Sequence, residues 1–383
     1  MVPPLEFGVF PLGLAGAPGG VAKGRRDDPA AITRALDELR GDGPPLLPRM
    51  YVNWRGRWQA KMALAQVSRV AQASGPPHDL VLCYRDRSGN VDAWARFVAQ
   101  VVTSHGGRLA AVQVTGEPNL RGVGVDGDFP RAAEALAHGV LSAAEAKRAS
   151  GATAAIGFAA AVEAVPDSNG FWSSVRDLGG TDFGTAVDYA GVDVYVDVFG
   201  PRIELGKVPG AVRWVLQTFR EKTLAIVGIP ASTPIRICEN GWPTGPDRPE
   251  SLQAQVLEAT LRTVHGLRAE LNVTHWELFT LRDADSSKDE MFHRFGVLRD
   301  DYSPKPAFGV LRDLIAELRR GLQNRVGAEF HDGAGGFGDA AGQRRVDRER
   351  VGELVHRQVL LNRERDRQDQ LTGPRGDHHA AEH

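Results

Sequence analysis

Two glutamates, each at the end of a strand-like run, are the residues of this chain best suited to covalent chemistry. In Ile235-Arg-Ile-Cys-Glu-Asn-Gly-Trp-Pro-Thr244, the residues Ile235 to Cys238 deliver one carboxylate, Glu239, to a strand end. Asn240-Gly241 then turns the chain, and Trp242-Pro243 sets a rigid aromatic wall beside the acid. The earlier run Ala111-Val-Gln-Val-Thr-Gly-Glu-Pro-Asn-Leu120 also ends in a carboxylate, Glu117. A carboxylate next to an indole suits a sugar site, where the acid reacts and the ring stacks on the pyranose. Two carboxyl groups about 5–5.5 Å apart serve as nucleophile and acid/base in double displacement at an anomeric carbon. A glutamate before a proline can also simply terminate a strand, so the reading rests on the pair.

The elements that must position this pair alternate along the chain. Leu5–Phe10 predicts a first strand, followed by a Gly-rich loop through Gly24 and a helix capped by Asp27/Asp28 with Pro29 in its first turn. Further strands are predicted at Leu46–Trp54, Asp79–Tyr84, Leu109–Thr115, Thr153–Ala160 and Tyr189–Asp197. The seventh carries Glu239, and the eighth is Val273–Phe279. Helical patterns separate them, and one over Pro306–Arg320 closes the series. Strands alternating with helices imply a parallel sheet. Eight such units over residues 1–320 point to a (β/α)8 barrel.

Residues 321–383 differ in character. They are rich in Arg, Asp, Gly and His and poor in large apolar side chains, which predicts a disordered tail. Gln343–Gln368 can form a charged helix with a thin stripe of Val346, Val351, Leu354 and Val355.

Composition limits the remaining possibilities. The 383 residues are 42% hydrophobic and 25% charged, as in a globular protein. A net charge of −2 gives no electrostatic case for nucleic acid or membrane partners. No apolar run approaches a membrane span, and the N-terminus has no signal-peptide pattern. Two cysteines, Cys83 and Cys238, are too few for a disulfide framework, which predicts a reducing, cytoplasmic setting. There the Asn272-Val-Thr274 sequon has no meaning. Cys238 reads as a buried strand residue, since no histidine is arranged beside it. His265, His275 and His293 lack metal-ligand spacing, so neither metal nor cofactor is expected. Gly122-Val-Gly-Val-Asp-Gly127 fits the dinucleotide glycine pattern. It lies past the strand end, however, with Asp126 and Asp128 placed to repel a pyrophosphate. Trp54, Trp58 and Trp172 serve either as sugar platforms or as loop and core residues.

Over residues 5–320 the chain resembles the clan of (β/α)8 retaining glycosidases. Thr115-Gly-Glu-Pro-Asn-Leu120 is similar to the Asn-Glu-Pro-Asn-Leu of certain xylosidases. Cys238-Glu-Asn-Gly-Trp-Pro243 is similar to nucleophile segments of endo-β-1,3-glucanases and some β-glucosidases, and His275-Trp-Glu-Leu-Phe279 to the eighth strand. The resemblance implies that Glu117 is acid/base and Glu239 nucleophile. It implies Arg49 beside the nucleophile, Tyr195 hydrogen-bonded to it, and Trp276 flooring the reacting sugar. Trp242, Asn119 and Asp283 would complete the carbohydrate site. Asp283 belongs to Arg282-Asp-Ala-Asp285, which either binds substrate or pins a loop through an ion pair. Where the clan usually has Asn before the acid/base, this chain has Gly116. Either Asn119 or Asn53 then reaches the sugar 2-hydroxyl, or the substrate is bulkier at that carbon. The implied activity is O-glycoside hydrolysis by double displacement; transglycosylation and sugar binding without turnover are the alternatives. The sequence leaves the oligomeric state open.

Overall fold

The computed structural model describes residues 4–17, 20–122 and 125–328. Eight parallel strands close into one barrel. They are β1 (Glu6–Phe10), β2 (Leu47–Trp54), β3 (Asp79–Tyr84), β4 (Ala111–Gly116), β5 (Ala155–Ala161), β6 (Tyr189–Val194), β7 (Ile235–Asn240) and β8 (Val273–Phe279). Each pairs with its sequence neighbour, and β8 pairs back to β1. The principal helices are α1 (Pro29–Arg40), α2 (Ala60–Ala71), α3 (Val91–His105), α4 (Ala132–Ser150), α5 (Phe171–Ala186), α6 (Val208–Thr218), α7 (Glu250–Leu271) and α8 (Pro306–Ala328).

Local chemistry accounts for the boundaries. The Asp28 carboxylate accepts from Ala30 N at 2.9 Å and Ala31 N at 3.3 Å, and Pro29 pre-sets the first turn of α1. The Asn90 side chain caps α3 through Ala93 N at 3.0 Å. Two expectations need correction. The stretch expected as a Gly-rich loop contains an antiparallel hairpin, Leu14–Ala17 with Gly20–Lys23. The last helix runs past Arg320 to Ala328. The rest of the expected tail, including Gln343–Gln368, lies outside the described residues.

The period of two along each strand divides side chains between helix layer and barrel interior. Val112, Val114, Ile156, Phe158 and Val192 join the large apolar core that spans the barrel wall and its helices. Ala111, Ala159, Tyr189 and Cys238 face one another inside. Gly157 is required there, because a Cβ would sit 2.5 Å from the Tyr189 ring. The interior also holds a polar layer. Arg49 donates to Asp79 at 3.0 Å and Gln113 at 2.6 Å, with Glu277 at 3.6 Å, all buried.

Candidate active site

Each glutamate of the expected pair follows a break in strand register. Between β6 and β7 the pairing passes from Val192↔Ile237 to Asp193↔Glu239, so Cys238 has no partner of its own. Strict alternation would aim Cys238 and Asn240 inward; the extra residue re-aims Glu239 into the barrel mouth. Strand β4 is irregular too, between Gln113↔Gly157 and Gly116↔Ala159. There Thr115 (φ 68) and Glu117 (φ 49) adopt the left-handed conformation that disfavours side-chain-bearing residues. Such strain persists where the surroundings over-determine it. Here they do: Glu117 N donates to Ala159 O at 3.1 Å, and Gly116 N donates to the buried Asp126 carboxylate at 2.9 Å. Asp126 also accepts from Tyr84 N at 2.8 Å and pairs with Arg85, which ties the ends of β3 and β4 together. That bracing is what the acidic residue of the dinucleotide-like glycine pattern does.

Glu239 is held by two phenols. The Tyr51 hydroxyl donates to Oε1 and the Tyr195 hydroxyl to Oε2, each at 2.6 Å. Burial pushes both phenols well above their ordinary range, so they stay protonated as donors. Glu117 lies in the opposite situation. Burial pushes its carboxyl up to about 8, with the Glu239 and Asp126 charges adding and Arg85 opposing. One group is thus furnished with two hydrogen-bond donors and the other with a raised hold on its proton, an unequal pair of the kind that can divide nucleophile and acid/base work.

The expected supporting residues fall in other places. Arg49 is 1% exposed and does not reach Glu239; its Nε donates to the Tyr51 hydroxyl at 2.8 Å, so it acts through that ring. Tyr51 lies two residues on, on the same strand face, and period-two reasoning could have found it. Trp276 does not floor the cavity. Glu277 and Phe279 face inward, so Trp276 must face out, where it packs on Phe7 and donates to Asn240 Oδ1 at 3.1 Å. The rings packed on the two phenols that hold Glu239 are instead Phe10, Phe279 and Phe295. Phe10 meets Tyr51 at 5.0 Å and Phe279 at 5.5 Å, while Phe295 meets Tyr195 at 5.9 Å.

Trp242 is buried between the guanidinium groups of Arg248 and Arg202, at 4.6 and 5.3 Å, rather than presented to a ligand. Asn119 closes its amide on Ala161, donating to its O at 2.9 Å and accepting from its N at 3.2 Å. Asn53 is exposed. Asp283 pins a loop: it pairs with buried Lys305 at 2.8 Å and accepts from Gly296 N at 2.9 Å and Ser286 Oγ at 2.9 Å. Trp54 and Trp172 are core residues, whereas Trp58 is 86% exposed. Cys238 is buried and its thiol is pushed up by burial, which makes it inert. Among the described residues no His/Cys/Asp/Glu cluster could hold a metal ion, and no helix is long and apolar enough to cross a membrane.

One acid inside the barrel went unnoticed in the sequence. Asp193 shares the inward face of β6 with Tyr189 and, beyond the strand end, Tyr195, and it lies opposite Glu239 in register. Its carboxyl is pushed well above the usual range by burial and then by the Glu239 and Glu117 charges.

No protein-family profile matches the chain, and no curated protein sequence matches it. Solved structures match its fold. The family 1 β-glucosidase from Thermotoga maritima in complex with isofagomine lactam aligns with a TM-score of 0.52 at 13% identity, over 75% of this chain and 85% of that one. A β-glucosidase from Exiguobacterium marinum aligns with a TM-score of 0.50 at 16% identity, over 75% and 86%. What the chain shares with them is the (β/α)8 architecture.

Proposed function

We propose that this protein is a retaining glycoside hydrolase, with Glu239 as nucleophile and Glu117 as acid/base. The observation that carries the reading is the contrast between the two carboxyl groups at the ends of β4 and β7. Glu239 accepts two phenolic hydrogen bonds, whereas Glu117 keeps its proton to about pH 8. The match in fold to proteins named β-glucosidases supports it further. In the first step Glu239 attacks the anomeric carbon while Glu117 protonates the departing oxygen, giving a glycosyl-enzyme. In the second, Glu117 takes a proton from water, which displaces Glu239. A sugar hydroxyl in place of water gives transglycosylation by the same intermediate. Arg49 and Tyr51 position and polarise the nucleophile rather than touching the sugar. The two buried free thiols, Cys83 and Cys238, are in keeping with a reducing, cytoplasmic setting.

The test is proton NMR of the first-formed anomer from an aryl glycoside. Retained configuration is expected, and inverted product rejects Glu239 as nucleophile. Glu117→Ala should then slow substrates with poor leaving groups far more than activated phenolates, and azide should return a glycosyl azide of retained configuration. A sugar-binding protein without turnover would instead release no phenolate from any substrate.

A further inference from the structure

The double-displacement scheme assigns no work to Asp193, yet the fold spends a buried carboxyl on it. The side chain is 6% exposed, and its Oδ1 has no hydrogen-bond partner. A buried carboxyl oxygen without a partner is costly, and a ligand that brings a donor relieves that cost. Its direction is fixed by its neighbours on β6: Tyr189, four residues back, packs inside the barrel, and Tyr195, two residues on, reaches Glu239. Asp193 lies between them on that face, opposite Glu239 in register. Asp193 thus lies beside Glu239 and within the electrostatic reach of Glu117. Among the described residues no Lys, Arg or His forms an ion pair with Asp193, Glu117 or Glu239. The Arg49 guanidinium, which acts on Asp193, is committed to Tyr51, Asp79 and Gln113, and Arg85, which acts on Glu117, pairs with Asp126.

We propose that Asp193 is a specificity residue that takes a protonated amine on the reacting sugar, making the substrate class a β-linked amino-sugar glycoside. This rests on the glycosidase reading above. An ammonium group supplies Oδ1 with a charged donor and favours the ionised form of Asp193, which a neutral hydroxyl does only in part. A uronide, by contrast, brings a further carboxylate beside Asp193 and Glu239 and is rejected.

The experiment compares 4-nitrophenyl β-glucoside, its 2-amino-2-deoxy counterpart and the β-glucuronide, at a pH where the amine is protonated. It uses the full chain and its Asp193→Asn variant, which keeps the side-chain shape. Calorimetric titrations of glucosamine and glucose run in parallel on both proteins. The expected result is a kcat/KM at least tenfold higher for the amine than for the hydroxyl, no turnover of the uronide, and a ratio near one in the variant. A native preference for the hydroxyl, or an amine preference that survives Asp193→Asn, overturns the proposal while leaving the glycosidase reading intact. If no glycoside is hydrolysed, that reading fails and the titrations decide. Glucosamine bound at least tenfold tighter than glucose by the native chain alone supports the role of Asp193. Equal binding, or no binding of either sugar, overturns it.

Discussion

At the scale of single residues the chain divides one charge problem between two identical side chains. Glu117 and Glu239 differ only in what surrounds them: an apolar, acid-flanked position for one and two phenols for the other. A pH prediction follows for Glu117. Its folded value of about 8 stands above the ordinary 4.5, so the folded chain holds a proton that the unfolded chain releases. Its contribution to stability is therefore complete below about pH 4.5 and lost as pH rises through about 8. Glu117→Gln removes that loss, so its advantage in melting temperature over the native chain should widen from pH 6 to pH 9. Because Glu117 is only partly buried, water trims the effect to about 1–2 kcal/mol. In the native protein kcat/KM should fall above about pH 8, and a flat profile there would count against Glu117 as the proton donor. The placement of both glutamates was legible from strand-end chemistry, and Tyr195 from resemblance. Asp193 was not, because an acid inside a strand reads as an outward, solvated residue until closure of the barrel turns it inward.

At the scale of elements, alternation of hydrophobic runs was enough to place all eight strands and the helices between them. It could not reveal the register breaks on β4 and β7, since a bulge is a relation between two strands and leaves no mark in one. Nor could it orient Trp276, whose side follows from the pairing of β8 with both neighbours. The loop after β8 shows a further limit. Asp283 was expected at the cavity, and its ion pair with Lys305 depends on a partner contributed just before α8. Lys305 also donates to Thr244 at 3.0 Å, two residues from Trp242, so the pair joins the segments after β7 and β8. Lys305→Met leaves the buried Asp283 without a cation, which costs about 3–5 kcal/mol. Urea denaturation should read that loss. Replacing Asp283 with Asn in the same chain should recover part of it, and a lone Lys305→Met with native stability would show the pair to be dispensable.

At the scale of the whole molecule the barrel is not equally sewn all the way round. Strands β2 and β3 pair over six residues, Arg49↔Asp79 to Trp54↔Tyr84, whereas β1 and β2 pair only through Gly8↔Leu47 and Val9↔Pro48. Pro48 has no N–H to give. Closure therefore depends more on helix packing there than on a ladder. Hydrogen exchange should find the β1 amides opening ahead of those of β3, and simultaneous exchange in both would contradict this. Strand β2 is also the one that carries Arg49 and Tyr51, and hence half the grip on Glu239. On gentle warming the clasp should slacken first and Glu239 lose its hold, so that any proposed turnover fades some degrees before the protein melts.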